Sequence, residues 1–333
     1  MAEQDLSRQR PINSPLKAVR TVWREPENPV RWAYAKILRE HDKTKKVYPV
    51  NPYAEVYQFR DNLYGIYTQS LDGMGDPWIY LLVGPEKAML IDTGFGVGDL
   101  KGLVEAIIGT MPLIVVNTHA HFDHAYGNSQ FDTVYVHEYE VPRLKSKLDP
   151  HIWDYLFDEN GKGIWADFDR ADVIPYKPYE IVGCPNHHIF DLGQGYEVEL
   201  ILTGGHTPGH AAFLDKPNRI LFAGDDACVG AVGIGGQVGE PHFEWATVKG
   251  LRDCLAALVA RDDEFDGIFP GHGPVDTGTI VLNNVLEACD KVLADPHGYD
   301  EAEERSMHGK TFTVYKKMIY LSGYLNYRME QLR

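Results

Sequence analysis

Residues 117–128 read NTHAHFDHAYGN, which puts His119, His121, Asp123 and His124 within six positions. Imidazole and carboxylate together are the donors of zinc, and also of iron and manganese, and crowding imidazoles without a reason is costly. Residues two apart on an extended chain point to the same side, so His119 and His121 can grip one ion. Asp123 and His124 follow where the chain turns and can face a second. Small Ala120 and Ala125 let the loop pack tightly beneath. More donors come later: His206 and His210 in GGHTPGH, Asp225 in LFAGDD, and His272 in FPGHG, with Asp92 earlier, after AMLI. A lone HxH, GDD or PGHG is ordinarily a turn. Their conjunction, in this order and each just past an apolar run, points to a metal centre with room for two ions.

Elements that can carry these loops are legible around them. From Tyr53 onward EVYQFRDNLYGIYTQ, WIYLLVG and KAMLIDTG are rich in β-branched and aromatic residues and read as strands. VGDLKGLVEAIIGT has helical spacing, and PLIVV is a buried strand running into the histidines. GYEVELILTGGH, RILFAGDD and FDGIFPGHG resume the strands, and EWATVKGLRDCLAALVARD is an amphipathic helix. The organisation expected is an N-terminal extension over residues 1–52, with one helix over 29–40, followed by a single domain over 53–333. That domain carries an aromatic-rich insertion at 138–181, which reads equally as a lid or as core packing, and a closing helix over 309–333.

Bulk properties narrow the partners. The chain has 333 residues, 44% of them hydrophobic, and a formal net charge of −16. Residues 1–50 hold eleven Lys and Arg against six Asp and Glu, so the acidity lies in the remainder, where it disfavours phosphate backbones. The expectation is a small-molecule substrate and no nucleic acid, with the basic leading segment a solvated extension or a contact between copies of the chain. No apolar run reaches the roughly 18–20 residues of a membrane span, and no secretory leader is read at the start. Four scattered cysteines without a CxxC pair suggest a reduced, cytoplasmic setting.

The motifs together resemble those of the metallo-β-lactamase-fold superfamily. THAHFDH is similar to its HxHxDH signature, LIDTG to its first motif, GGHTPGH to its third, LFAGDD to its fourth and PGHG to its fifth. The resemblance spans about residues 53–279 and implies an α/β fold, the αββα four-layer sandwich, with the metals at one edge of the sheets. It further implies one ion on His119, His121 and His206, another on Asp123, His124 and His272, and Asp225 between them. Asp92 and His210 would support these ligands rather than bind metal. Departures from related branches narrow the reading. Ala120 stands where the redox di-iron branch has Glu, and Asp225 stands where zinc β-lactamases commonly have Cys. Asp at that place resembles the glyoxalase II and lactonase branches.

The chemistry implied is hydrolysis. Two cations, zinc with iron or manganese as alternatives, would share a water and lower its pKa to about 7. Asp123 would orient it and later help protonate the leaving group. GxSxG is absent, and the Gly-rich VGAVGIGGQVGE lacks the Lys-Ser/Thr ending of a phosphate loop. Candidate pocket residues are Met74, Trp78, Tyr126, Trp153, Tyr155, Phe157 and Trp165, whose aromatic character suits an apolar or cyclic acyl group. No basic cluster marks a phosphorylated substrate. The order of preference is a lactone or ester, then a thioester, then a β-lactam. Phosphodiester or sulfate ester hydrolysis, iron-dependent oxidoreduction and non-catalytic metal binding are the alternatives.

Overall fold

A computed structural model describes residues 16–17, 19–20, 29–72, 75–307 and 310–333. The chain divides into two compact units. The first holds residues up to Tyr135 together with Leu144–Ile181 and Leu192–Gln194; the second holds Val136–Arg143, Val182–Asp191 and Gly195–Arg333. Among the described residues no helix is long and apolar enough to cross a membrane.

The first unit is built on a seven-stranded mixed sheet whose strands lie side by side in chain order. Ala54–Arg60, Leu63–Thr68, Trp78–Val83 and Ala88–Ile91 form an antiparallel meander, and Leu113–Val116 then adds in parallel beside Ala88–Ile91. The helix Leu100–Ile108 makes that parallel crossover. It starts at Asp99, whose carboxylate accepts the Gly102 N–H, and buries Leu100, Leu103 and Val104. The register of the last pair matters most. Ile91 stands opposite Val116, so Asp92 and Thr118 leave the sheet at the same edge, tied by the Asp92 N–H to the Val116 carbonyl at 2.8 Å. The helix expected over 29–40 forms as Pro29–His41. Its Arg39 donates to Glu55 at 2.9 Å, Tyr57 donates to the same carboxylate at 2.6 Å, and the three side chains are buried. A buried charge needs such partners, so this helix is anchored to the first strand rather than trailing from it.

The second unit has a six-stranded sheet in the order Ile189–Asp191, Glu197–Leu202, Ala211–Asp215, Ile220–Gly224, Gly267–Pro270, Thr277–Gly278. Helices Val248–Val259 and Ile280–Ala294 cover one face. Leu251, Leu255, Leu258, Val285, Ala288 and Val292 pack there on Ile201, Ala212, Leu214 and Leu221. Register again sets the chemistry. The parallel pair Ile220–Gly224 and Gly267–Pro270 ends with Gly224 opposite Pro270, so Asp225 and the His272 loop emerge together.

The tail is not a helix. Glu301–Met307, Lys310–Ile319 and Gly323–Tyr327 form an antiparallel ribbon, extended to four strands by Gly230–Gly233. TFTVY is β-branched and aromatic at every position, and Val314, Ile319, Leu325 and Tyr327 are buried, so the segment belongs to a half-buried sheet. The helix Ile280–Ala294 has no counterpart in the sequence reading.

His137 closes the strand Thr133–His137 and is buried, with its Nδ1 accepting the Tyr139 N–H. Burial, with a smaller contribution from His242, lowers its pKa to about 4. The unfolded chain takes up this proton near pH 6.5 and the folded chain only near 4. The stability this neutral ring allows is therefore complete above pH 6.5 and is lost as pH falls towards 4, about 2 kcal/mol of it by pH 5. Urea unfolding at pH 7 and pH 5 should show the parent losing that much more than His137→Asn, which keeps an acceptor for Tyr139. Equal losses would show that His137 is protonated without cost.

Candidate metal centre

In the first unit, the chain passes from Val116 through Asn117 and Thr118 into His119–Ala120–His121 and the short helix Phe122–Ala125. His119 Nε2 and His121 Nδ1 lie 3.1 Å apart, and His124 Nε2 lies 3.5 Å from an Asp123 carboxylate oxygen. His119, Asp123 and His124 are buried and His121 is half-buried. Asp92 arranges these rings. Its Oδ1 accepts the Thr118 N–H at 2.8 Å, and its Oδ2 lies 2.8 Å from Thr118 Oγ1 and 2.9 Å from His124 Nδ1. A carboxylate at Nδ1 puts the ring proton there, leaving the lone pair on Nε2. Asp92 has φ 66°, a left-handed conformation that Asp tolerates better than most residues.

Neutral polar groups hold the loop from behind. Asn117 Nδ2 and the Thr93 N–H both donate to the His124 carbonyl, at 3.2 and 2.8 Å, and Asn128 donates to Asn117 Oδ1 at 2.7 Å. Thr93, Asn117 and Asn128 are buried, so their pairing is obligatory, and it fixes where His119 to His124 stand.

In the second unit, two imidazoles meet at one carboxylate oxygen. Asp225 Oδ2 lies 3.4 Å from His206 Nε2 and 3.5 Å from His272 Nε2. His206 Nδ1 donates to the Gly233 carbonyl at 2.8 Å, which again leaves the lone pair on Nε2. His210 is fully buried and plays a different part. Its Nε2 accepts the Asp225 N–H at 3.0 Å, and its Nδ1 lies 2.7 Å from Asp226. It therefore supports the loop bearing Asp225, as well as closing the 206–210 turn, where the His210 carbonyl accepts the Thr203 N–H. Cys228 is buried, with its thiol 3.9 Å from Asp225, and packs as a small apolar residue.

His119, His121, Asp123 and His124 in one unit, and His206, Asp225 and His272 in the other, are the donors able to hold a metal ion among the described residues. Their chemistry fits a divalent cation: imidazoles, two of which, His124 and His206, have Nδ1 engaged by an oxygen acceptor, with carboxylates beside them.

Sequence reasoning missed Thr118, Asn117, Asn128 and Asp226. Only Asp226, the second Asp of GDD, carried a signal. The pocket candidates fare unevenly. Trp78 is not a pocket residue: it is fully buried among the rings of Tyr57, Phe59, Tyr67 and Tyr80. Trp153 donates to the Phe95 carbonyl at 2.8 Å and is buried, as are Tyr126 and Phe157. Tyr155 is 37% exposed and Trp165 half-buried, 6.3 Å apart between ring centres, and Tyr155 is 5.9 Å from Phe122 in the histidine loop. Met74 lies outside the described residues.

Comparisons with known proteins agree with this chemistry. The sequence profile of the Metallo-beta-lactamase superfamily matches residues 72–281. The acyl-coenzyme A thioesterase MBLAC2 of Homo sapiens is 28% identical over 210 residues, covering 58% of this chain and 72% of that protein. The hydroxyacylglutathione hydrolase GloC of Haemophilus influenzae is 24% identical over 200 residues, covering 58% and 82%. Among solved structures, a metallo-beta-lactamase from Pontibacter korlensis superposes with a TM-score of 0.51 at 19% identity, over 71% of this chain and 99% of that one. The fold expected from the motifs is thus the fold found, and the chain belongs to the metallo-beta-lactamase superfamily as a metal-dependent hydrolase.

Proposed function

We propose that this chain hydrolyses an acyl bond of a small organic substrate, a thioester ahead of a lactone or other ester, on a pair of divalent cations. The observation that carries the reading is Asp225, whose one oxygen stands at nearly equal distances from His206 and His272. A carboxylate so placed between two imidazoles is suited to bridge two ions. His119 with His121, and Asp123 with His124, supply two further pairs of donors. Completed, the sets are His119, His121 and His206 for one ion, and Asp123, His124 and His272 for the other. Zinc suits imidazole and carboxylate best, with iron and manganese next.

Bound, the cations supply an acidified water and an electrophile for the carbonyl oxygen. Asp123 would orient that water, take up its proton and pass it to the leaving group. Asp92 keeps His124 in one tautomer, and His210 keeps Asp225 in place. Tyr155 and Trp165 form an apolar wall near Phe122 suited to the acyl portion. A relative named an acyl-coenzyme A thioesterase, with another named a hydroxyacylglutathione hydrolase, moves the thioester ahead of the lactone.

Metal analysis with a panel of acyl thioesters, lactones, aryl esters, β-lactams and phosphodiesters tests this reading. Two ions per chain and turnover greatest on a thioester or lactone are expected. Turnover confined to phosphodiesters, or full metal loading without turnover, would refute it. On the same panel Trp165→Ala should alter the ranking of substrates by about tenfold with metal content unchanged. A change in thermal stability alone would make Trp165 a packing residue.

A further inference from the structure

The insertion expected over 138–181 does not behave as one piece. Its first residues belong to the second unit, within Val136–Arg143, where they lie against the turn carrying His206. Glu140 accepts the Gly209 N–H at 2.9 Å, and a Cβ at Gly209 would stand 2.2 Å from the Glu140 nitrogen. Only glycine permits that approach.

Three residues on, Arg143 reaches the Gly-rich stretch 229–240. Its Nε and Nη2 donate to the two oxygens of Glu240 at 2.8 and 2.7 Å, and Nη2 also donates to the Gly235 carbonyl at 3.0 Å. Glu240 Oε1 accepts the Gln237 N–H at 2.6 Å as well. Both side chains are largely buried, at 17% and 14% exposure. A bidentate, partly desolvated pair of this kind fixes geometry as well as adding energy.

What this pair fixes is next to His206. The Gly235 N–H donates to the Gly205 carbonyl at 3.2 Å, and a Cβ at Gly235 would stand 2.2 Å from the His206 carbonyl oxygen. Two residues before, the Gly233 carbonyl takes the His206 Nδ1 proton. Strand pairing with Gly323–Tyr327 fixes the approach to this carbonyl, and Arg328 and Gln331 hold the Gly236 carbonyl. The stretch has no side chain of its own at positions 233, 235 and 236, so its course past His206 is set by groups reaching in from elsewhere.

We propose that Arg143 is a positioning residue for His206: by clamping Glu240 and Gly235 it holds the Gly233 carbonyl where it fixes the imidazole in the tautomer that presents Nε2 to metal. This rests on the reading of His206 as a ligand. Arg143 touches neither the ring nor the substrate. Its loss lets the stretch shift, the Nδ1 bond lengthen and the ring turn. Such outer partners of a ligating histidine are worth about 10–100-fold in metal affinity.

The test uses the full chain with Arg143→Ala, Arg143→Lys, Glu240→Gln and His206→Ala. Zinc affinity is read by competition with a chromophoric chelator, and the His206 tautomer by nitrogen NMR of the metal-free protein. Arg143→Ala should weaken one of two zinc ions by about tenfold or more and replace a single Nδ1–H tautomer by a mixture. Arg143→Lys, unable to form the fork, should fall between. If His206→Ala binds zinc like the parent, the ligand assignment itself fails. If His206→Ala loses an ion while Arg143→Ala keeps parental affinity and a single tautomer, the positioning role is overturned. Should Arg143→Ala fail to fold, Glu240→Gln, nearly the same in shape, decides by the same two readings.

Discussion

Asp225→Asn should lose at least about a thousandfold in turnover and bind fewer than two metal ions per chain. Asparagine keeps the shape of the side chain, so packing around His210 and Cys228 is retained. What disappears is the negative charge that stands 3.4 Å from His206 Nε2 and 3.5 Å from His272 Nε2. Two cations brought close repel each other, and an anionic bridge is what offsets that repulsion. A neutral amide would not, so on the proposed reading one site would empty and the other would lose an anionic ligand. The acidified water and the electrophilic assistance go with them, and each of these is worth several kcal/mol of barrier. Metal analysis alongside steady-state kinetics checks this. A variant that retains two ions and parental turnover would place the bridge elsewhere.

Removal of metal by chelator should abolish hydrolysis, and zinc or another divalent ion should restore it. Without metal, Asp92 still holds His124, the Gly233 carbonyl holds His206, His210 holds Asp225 and the Asn117–Asn128 pair holds the histidine loop, so rebinding needs no refolding. Recovery should weaken as pH falls, because protons compete with metal for the imidazole nitrogens. Stoichiometric back-titration with activity as the readout distinguishes the outcomes. Full turnover in exhaustively stripped protein would remove metal from the reaction altogether.

The site was more legible in the sequence than the fold around it. His119, His121, Asp123 and His124 are close because the chain makes them so, and an HxHxDH spacing on a strand end leaves little freedom. His206, Asp225 and His272 could be suspected because each follows an apolar strand, and in parallel sheets such ends line up on one edge. The register pairs Ile91 with Val116 and Gly224 with Pro270 and turns that suspicion into adjacency. The tail, expected as a closing helix, forms strands instead because of its period. Alternation along TFTVY, with Val314 turned inward, marks a strand. Trp78 was misjudged for another reason. A Trp beside a turn reads alike whether it lines a cleft or fills a core, and only the surrounding Tyr57, Phe59, Tyr67 and Tyr80 decide it.

By itself the sequence determined which residues could offer metal donors, since donor type and local spacing are properties of neighbouring residues. Tertiary structure alone decided how those donors are aimed. That Asp92 serves His124, that Asp226 and His210 stand behind Asp225, and that Arg143 reaches Glu240 from 97 residues away depend on contacts between distant segments. Orientation of a ligand is set by what packs behind it, and what packs behind it is chosen by strand register and burial, neither of which a local stretch of chain specifies.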